Sequence, residues 1–317
     1  MYDVAALGEL LIDFTCLSTD TDGYPTMAAH PGGAPANYLA ALTKFGAKTA
    51  MIGKVGNDAF GRLLIKTLKG TGIDTRGMLV SDDVFTTLAF VTLDDSGNRE
   101  FSFARKPGAD TQLRFDEIDL GVIDASKVLH FGTLSMTNEP ARDATYKAVE
   151  YAAGRGKLIS FDPNLRKPLW NDLDEAKRQM LWGLRHADVV KISDEETEFL
   201  FSLAPEESAK HIINSFGVRL VYVTCGAEGC FYRTKTASGF VKALSGIAVK
   251  DTTGAGDIFG GSAMYGLLKA GGVPEKLTAE ELKEIVSFAC ASAGLSTTRA
   301  GGISSVAELI EVEAAMK

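Results

Sequence analysis

Four cysteines and four histidines in 317 residues leave little material for a metal centre or a disulfide framework. Cys16, Cys225, Cys230 and Cys290 form no C-x-x-C pair and share no zinc-ligand spacing with the histidines, so buried free thiols are the expectation. No uncharged apolar stretch reaches membrane-spanning length, which argues against a membrane partner. The first residues carry Asp3 and Glu9 around a short apolar run and lack the basic flank of a signal peptide, so a cytoplasmic location is expected. Runs of Lys and Arg interleaved with aromatics are missing too. With 41 acids against 33 bases and a net charge of −8, nucleic acid is not an expected partner. Nor does a G-x-x-x-x-G-K-[ST] phosphate loop occur. No low-complexity segment interrupts the chain, and 45% of it is hydrophobic, enough for one large core or two modest ones.

What is present begins with short apolar runs at 4–7, 49–52, 128–131, 158–161, 189–192 and 220–223, which read as buried strands. Between most of them lie helical stretches. Residues 35–45 start with Pro35 at a favoured first-turn position and end at Gly46, and 138–153 and 172–186 carry helical periodicity. Strands alternating with helices predict a mostly parallel sheet covered on both faces. Two stretches break the rhythm, at about 11–30 and 84–106, where apolar and polar residues alternate without helix signals. The second contains the turn Asp94-Asp95-Ser96-Gly97-Asn98. They are expected to form an antiparallel patch projecting from the main sheet as a lid. A further hairpin is expected at 229–249, turning near Ala237-Ser238-Gly239.

Ligands of open parallel sheets bind at the carboxyl ends of the strands. Polar residues gather there: Asp162, Asn164 and Arg166 after one run, Ser193 and Glu196 after the next, Thr224 and Gly226 after the third. Each has a plainer reading as loop polarity or a helix cap.

The run Asp251-Thr252-Thr253-Gly254-Ala255-Gly256-Asp257, followed by an apolar stretch, joins a flexible turn to the start of a helix. Amides at such a junction have no intrahelical partner, and with the helix dipole they seat an anion. Asp257 is then out of place, because a carboxylate repels that anion unless it takes a proton from whatever attacks it. The alternative is that Asp251 and Asp257 cap the helix and the glycines turn the chain. A dinucleotide fingerprint does not fit, since its last glycine falls on Phe259.

A second segment, Gly32-Gly33-Ala34-Pro35-Ala36-Asn37, continues through Gly53-Lys54-Val55-Gly56-Asn57-Asp58 to Gly61. Together with the run from Asp251 to Asp257, it resembles the ribokinase-like (pfkB) family of sugar kinases. The resemblance covers essentially the whole chain. Within the family it is strongest to fructokinases, through Arg99-Glu100-Phe101 with Arg105, Asp162-Pro163-Asn164-Leu165-Arg166 and Lys191-Ile192-Ser193-Asp194-Glu195-Glu196.

The resemblance implies a three-layer αβα sandwich with a small projecting β-sheet lid, making residues 1–317 one kinase domain. It implies ATP-dependent phosphorylation of a sugar's primary hydroxyl, with Asp257 as general base and the amides of Gly254, Ala255, Gly256 and Asp257 as the anion hole. By the same analogy Asp13, Gly32, Gly33 and Asn37 hold the sugar. Arg105 reaches over it or is a solvated strand charge, and Arg166 meets phosphate or the sugar's polar end. Lys191, Thr224, Gly226 and Gly229 belong to the ATP side, joined by Gly254 and Gly256, and 287–296 passes near adenine. Glu196 acts on magnesium through water, while Asp251 and Thr253 match a monovalent-cation site, usually for potassium. Where most relatives have Asn-x-x-Glu, Ser193 replaces the amide, which puts direct phosphate contact from it in doubt. The lid strands of relatives often pair across a homodimer.

The leading expectation is a fructokinase, with 2-keto-3-deoxygluconate kinase and ribokinase as rivals inside the family. From other classes come a Rossmann-type NAD-dependent dehydrogenase, which would need glycines where Glu9 and its neighbours stand, and a non-catalytic sugar sensor, which would have lost its base.

Overall fold

The computed structural model describes residues 1–93 and 99–317, so the expected turn at 94–98 and the side chains of the Arg99-Glu100-Phe101 motif lie outside what is described. The chain opens with β1 (Tyr2–Leu7), the hairpin of β2 (Leu11–Thr19) and β3 (Pro25–Gly32), and α1 (Ala34–Lys44). Next come β4 (Thr49–Gly56), α2 (Ala59–Thr71), β5 (Asp74–Ser81), and a second hairpin of β6 (Leu88–Leu93) and β7 (Arg99–Ala104). The middle of the chain supplies α3 (Leu120–Asp124), β8 (Ser126–Gly132), α4 (Ala141–Gly154), β9 (Leu158–Asp162), α5 (Leu173–His186) and β10 (Val189–Ser193). It closes with α6 (Asp194–Phe201), α7 (Pro205–Phe216), β11 (Leu220–Thr224), β12 (Gly229–Arg233), β13 (Ser238–Lys242), α8 (Ala255–Lys269), α9 (Ala279–Ser296) and α10 (Leu309–Ala315).

Among the described residues nine strands form one sheet in the order β13-β12-β11-β10-β9-β8-β1-β4-β5. From β11 to β5 every pairing is parallel, and β12 and β13 extend it antiparallel. Val4, Ala5, Ala6 and Leu7 are all fully buried, as a strand covered on both faces requires. Alternation sends Val4 and Ala6 into a core shared with α1, α8 and α9, and Ala5 and Leu7 into a core shared with α4, α5 and α7. The result is the expected three-layer αβα sandwich. No described helix is long and apolar enough to cross a membrane.

A second sheet has the order β3-β2-β6-β7. Each hairpin is antiparallel, but β2 and β6 pair in parallel, which corrects the expectation of a wholly antiparallel patch. The reason is topological: β1 and β5 run in the same direction in the main sheet, and β2 and β6 continue outward from their ends. Phe14 stacks on Phe90 at 5.2 Å and meets the edge of Phe60 at 5.5 Å, fixing this lid to α2. The other hairpin turns at 234–237, so Ser238 and Gly239 already belong to β13. A Cβ on Gly239 would lie 2.5 Å from the Tyr232 hydroxyl, so glycine is there for packing rather than for a turn. All four cysteines are free. Three are buried as expected, but Cys16 is exposed, because it sits on the projecting lid.

Candidate active site

Where the lid overhangs the strand ends lies a cavity of about 330 Å³, lined by Glu9, Asp13, Asn37, Asn164, Arg166 and Asp257 among others. Apolar walls come from Leu11, Val91, Phe103 and Leu134. The sugar residues inferred from sequence converge here from three separate elements. Asp13 lies on β2, two residues into a strand whose odd positions face the cavity. Gly32 makes room for it: a Cβ there would fall 2.2 Å from Asp13 Oδ2. Gly33, at φ 119°, turns the chain into α1 and brings Asn37 to the cavity.

α8 begins at a left-handed Gly254 (φ 74°, ψ 0°), with no side chain capping it. Asp257 stands in its first turn, 7% exposed, and its Oδ2 accepts a 2.9 Å hydrogen bond from Asn37 Nδ2. The capping alternative therefore fails for Asp257. It applies in part to Asp251, whose Oδ1 accepts from the amide and hydroxyl of Thr253 and whose Oδ2 accepts from the Gly301 amide. The amides of Gly256 and Asp257 lie where no intrahelical carbonyl reaches them. That of Ala255 is shared with Thr252 O at 3.3 Å, so it is the weaker member of the expected anion hole. Gly256 lies close to Lys191, where a Cβ would stand 3.0 Å from Nζ.

Burial pushes the Asp257 carboxyl above its ordinary range, while Lys191, the Asn37 bond and Arg166 pull it back. Asp13 is driven to about 7, chiefly by burial with Asp257 and Asp251 adding to it and Arg166 opposing. Lys191 donates to Asp162 Oδ2 at 3.1 Å. Burial works against its charge, yet Asp162, Glu196 and Asp257 together hold its pKa above the usual amine value. A cation is thus fixed beside the helix start, where negative charge on a transferring group would gather.

Glu196 ties two strand ends together. Its Oε1 accepts from Leu165 N at 2.7 Å and its Oε2 from Ser193 N at 2.8 Å. Ser193 Oγ caps α6 by accepting from Glu196 N. Thr224 pairs in register with Ser193, and Gly226 (φ 51°) and Gly229 (φ 133°) follow it. A Cβ on Gly229 would lie 2.0 Å from Val241 O. These residues, expected on the nucleotide side, sit together at the ends of β10 and β11, and none of them lines the cavity. The start of α8 bridges the two groups, since Asp257 faces the cavity and Gly256 meets Lys191.

Arg105 requires correction. It is 6% exposed, and its guanidinium grips Asp110 Oδ2 through Nε and Nη2 at 2.9 and 2.6 Å, Thr137 Oγ1 at 2.7 Å and Leu134 O at 2.9 Å. It is neither a solvated charge nor among the cavity-lining residues. A buried guanidinium needs such partners, and they lock the last lid strand to the core. Arg166 is exposed at the cavity mouth.

Two contributors escaped the sequence reading. Glu9 is 2% exposed, lines the cavity, and accepts the Ala34 amide at 2.8 Å. Burial, with Asp110 adding and Arg105 opposing, raises its pKa to about 7. An acid directly after the glycine that ends an apolar strand was the available signal. Gly302 approaches Asn37 so closely that a Cβ would fall 2.2 Å from its Oδ1, which nothing local announces. Among the described residues no cluster of three or more His, Cys, Asp or Glu is arranged to hold a metal ion.

The family model described as pfkB family carbohydrate kinase matches residues 1–309. The chain is 40% identical to a probable fructokinase-4 of Arabidopsis thaliana, across 99% of this chain and 96% of that one. Its fold matches the structure of a fructokinase with bound ATP from Xylella fastidiosa with a TM-score of 0.91 and 29% identity, covering 100% and 98% of the two chains. It also matches a double-mutant fructokinase from Vibrio cholerae O395 in a fructose-, ADP- and potassium-bound form, with a TM-score of 0.87, 30% identity, and coverage of 100% and 99%.

Proposed function

This chain belongs to the pfkB family of carbohydrate kinases, and from that premise we propose that it is an ATP-dependent fructokinase, converting fructose to fructose 6-phosphate. The observation that carries the reading is Asp257: a buried carboxylate with a raised pKa that faces a sugar-sized cavity from the first turn of a helix whose amides can seat a phosphate. The sugar's primary hydroxyl attacks the γ-phosphorus, and its proton passes to Asp257 as the new P–O bond forms and the bond to the bridging oxygen of ADP breaks. Amides of Gly256 and Asp257, helped by Gly254 and Ala255, stabilise the moving charge together with Lys191. Asp13, Asn37 and the backbone at Gly32 and Gly33 orient the sugar, and Thr224, Gly226 and Gly229 hold the nucleotide.

Magnesium, when bound with ATP, neutralises phosphate charge. The residues present fit a site made mostly by phosphates and water, with Glu196 acting through water because both its oxygens already accept amides. Potassium suits the loop of Asp251 and Thr253, which is tied to the 297–301 segment through Asp251.

Fructose is favoured over 2-keto-3-deoxygluconate by the charge inside the cavity. Glu9, Asp13 and Asp257 line it, Arg105 is committed to Asp110, and Arg166 stands at the mouth. A neutral polyol meets carboxyl groups that can accept or donate hydrogen bonds there, whereas a sugar acid adds another negative charge to a cavity whose buried carboxyls already resist ionisation. A sugar panel with ATP and magnesium tests this: kcat/KM for fructose should exceed that for ribose or 2-keto-3-deoxygluconate by about tenfold or more. Turnover of another sugar in place of fructose would overturn the specificity, and turnover of none would overturn the class. We further propose that the whole chain acts as one kinase unit in the cytoplasm, and that two copies pair through the lid sheet. Sedimentation and cell fractionation check these points.

A further inference from the structure

Between the sheet, α1 and the middle of α8 lies a second, small chamber of about 10 Å³, lined by Gly260 and Met264 of α8 and by the side chains of Tyr38, His130, Ser160, Lys191 and Tyr222. Register puts its residues side by side: Tyr222 of β11 pairs with Lys191 of β10, and His130 of β8 pairs with Ser160 of β9. Ser160 Oγ meets His130 Nδ1 at 3.0 Å and the Tyr38 hydroxyl at 3.3 Å. The His130 ring lies flat on Tyr38, centroids 3.7 Å apart, and burial first, then the charge of Lys191, keeps it neutral with a pKa of about 3. The Tyr222 hydroxyl, also a wall of this chamber, is buried and makes no hydrogen bond within the protein.

A tyrosine whose hydroxyl is sealed in such a place is worse off than a phenylalanine unless something completes its bonding. The chamber has room for about one water molecule and offers it more than the two polar partners it needs. The bonding closes without remainder. Tyr222 O–H and one N–H of Lys191 donate to the water oxygen, and the water donates to the oxygens of Ser160 and Tyr38. Lys191 meanwhile keeps its bond to Asp162 on one side and its place against Gly256 on the other.

We infer that this chamber is a binding site for a single fixed water molecule, and that Tyr222 acts through it as a positioning residue for Lys191 beneath the phosphate-binding start of α8. The role assigned to Lys191 rests on the kinase reading, whereas the water site does not. Tyr222 is not among the residues lining the larger cavity. Its ring also meets the edge of Phe259 in α8 at 5.8 Å, a contact that Tyr222→Phe keeps, so that variant isolates what the hydroxyl does for Lys191.

High-resolution crystallography and pH-resolved kinetics of the full chain and of Tyr222→Phe test the inference. The unaltered protein should show one density peak at about 2.7–3.2 Å from Tyr222 Oη and Lys191 Nζ, and the variant should lose it. In Tyr222→Phe kcat should fall by about tenfold while the KM for fructose stays within about twofold, the pattern of a misplaced group rather than lost sugar binding. The alkaline limb of the kcat profile should move to lower pH, because Lys191 loses an acceptor for its charged form. Ser160→Ala, which removes an acceptor from the water and leaves Tyr222 intact, should shift kcat and the alkaline limb the same way by less. An empty chamber in the unaltered protein would overturn the inference. So would a Tyr222→Phe variant with unchanged kcat and alkaline limb. An unaltered protein that phosphorylates no sugar would instead overturn the kinase reading, leaving the density peak to decide the water site.

Discussion

Replacing Asp257 with Asn removes a proton acceptor while disturbing little else. The side chain is isosteric, and its amide oxygen can still accept the hydrogen bond from Asn37 Nδ2 that Asp257 Oδ2 receives at 2.9 Å. Sugar and nucleotide binding should therefore survive. Turnover should fall by about 10²–10⁴-fold, equivalent to about 3–5 kcal/mol of barrier, as expected for loss of a general base. Stability should move the other way. Burial raises the folded-state pKa of Asp257, so its contribution is fully present below the unfolded pKa and is lost as pH rises through the folded value. Asp257→Asn escapes that loss, and Lys191 retains Asp162 and Glu196 as partners. The variant should thus unfold later than the original at pH 8, with the gap closing near pH 4. Coupled ADP-release assays, calorimetric titration with fructose and with a non-hydrolysable ATP analogue, and thermal melts at the two pH values supply the readouts. Turnover within tenfold of the original, or a variant less stable at pH 8 than at pH 4 relative to the original, would refute the reasoning.

Gly302→Ala puts a methyl 2.2 Å from Asn37 Oδ1 and should raise the KM for fructose by about tenfold, the worth of a displaced hydrogen bond; an unchanged KM would remove Asn37 from the sugar site. Arg105→Met leaves Asp110 buried without its cation and should cost about 3–5 kcal/mol in urea unfolding, with most of it restored on adding Asp110→Asn. In that same Arg105 variant the KM for fructose should change by less than about threefold at temperatures where it is folded, since the guanidinium faces the core; a large KM effect would return Arg105 to the sugar. Asp13, with its pKa raised to about 7, stabilises the fold least above that pH. Asp13→Asn should therefore gain stability between about pH 4 and 7, to an upper bound of about 4 kcal/mol at pH 8, while weakening fructose binding. Stability curves that stay parallel across that range would contradict the burial of Asp13.

Local order was largely legible. Buried strands such as 4–7 and 189–192 declare themselves because both faces are covered, and α5 because Asp172 accepts from Asp174 N at its first turn. β5 was not anticipated: as an edge strand its exposure is mixed, and its sequence lacks a continuous apolar run. The lid hairpins were readable from alternation, but their parallel junction depends on β1 and β5 running the same way in another sheet. Glu9 and Asp257 show the same division among acids. Each occupies a suspicious position in sequence, yet only burial and partners separate a working carboxylate from a cap.

Sequence alone was enough for the alternation of strands and helices and for the glycine-rich start of α8, while the family was legible only as a resemblance of motifs. The local elements follow from periodicity, backbone freedom and hydrogen-bonding needs that act over a few residues. Only the assembled fold settles that Asn37 meets Asp257 across 220 positions, that Arg105 grips Asp110, and that Tyr222 lies beside Lys191. Those contacts depend on which strands become neighbours in the sheet, and strand order is a property of the whole chain's packing.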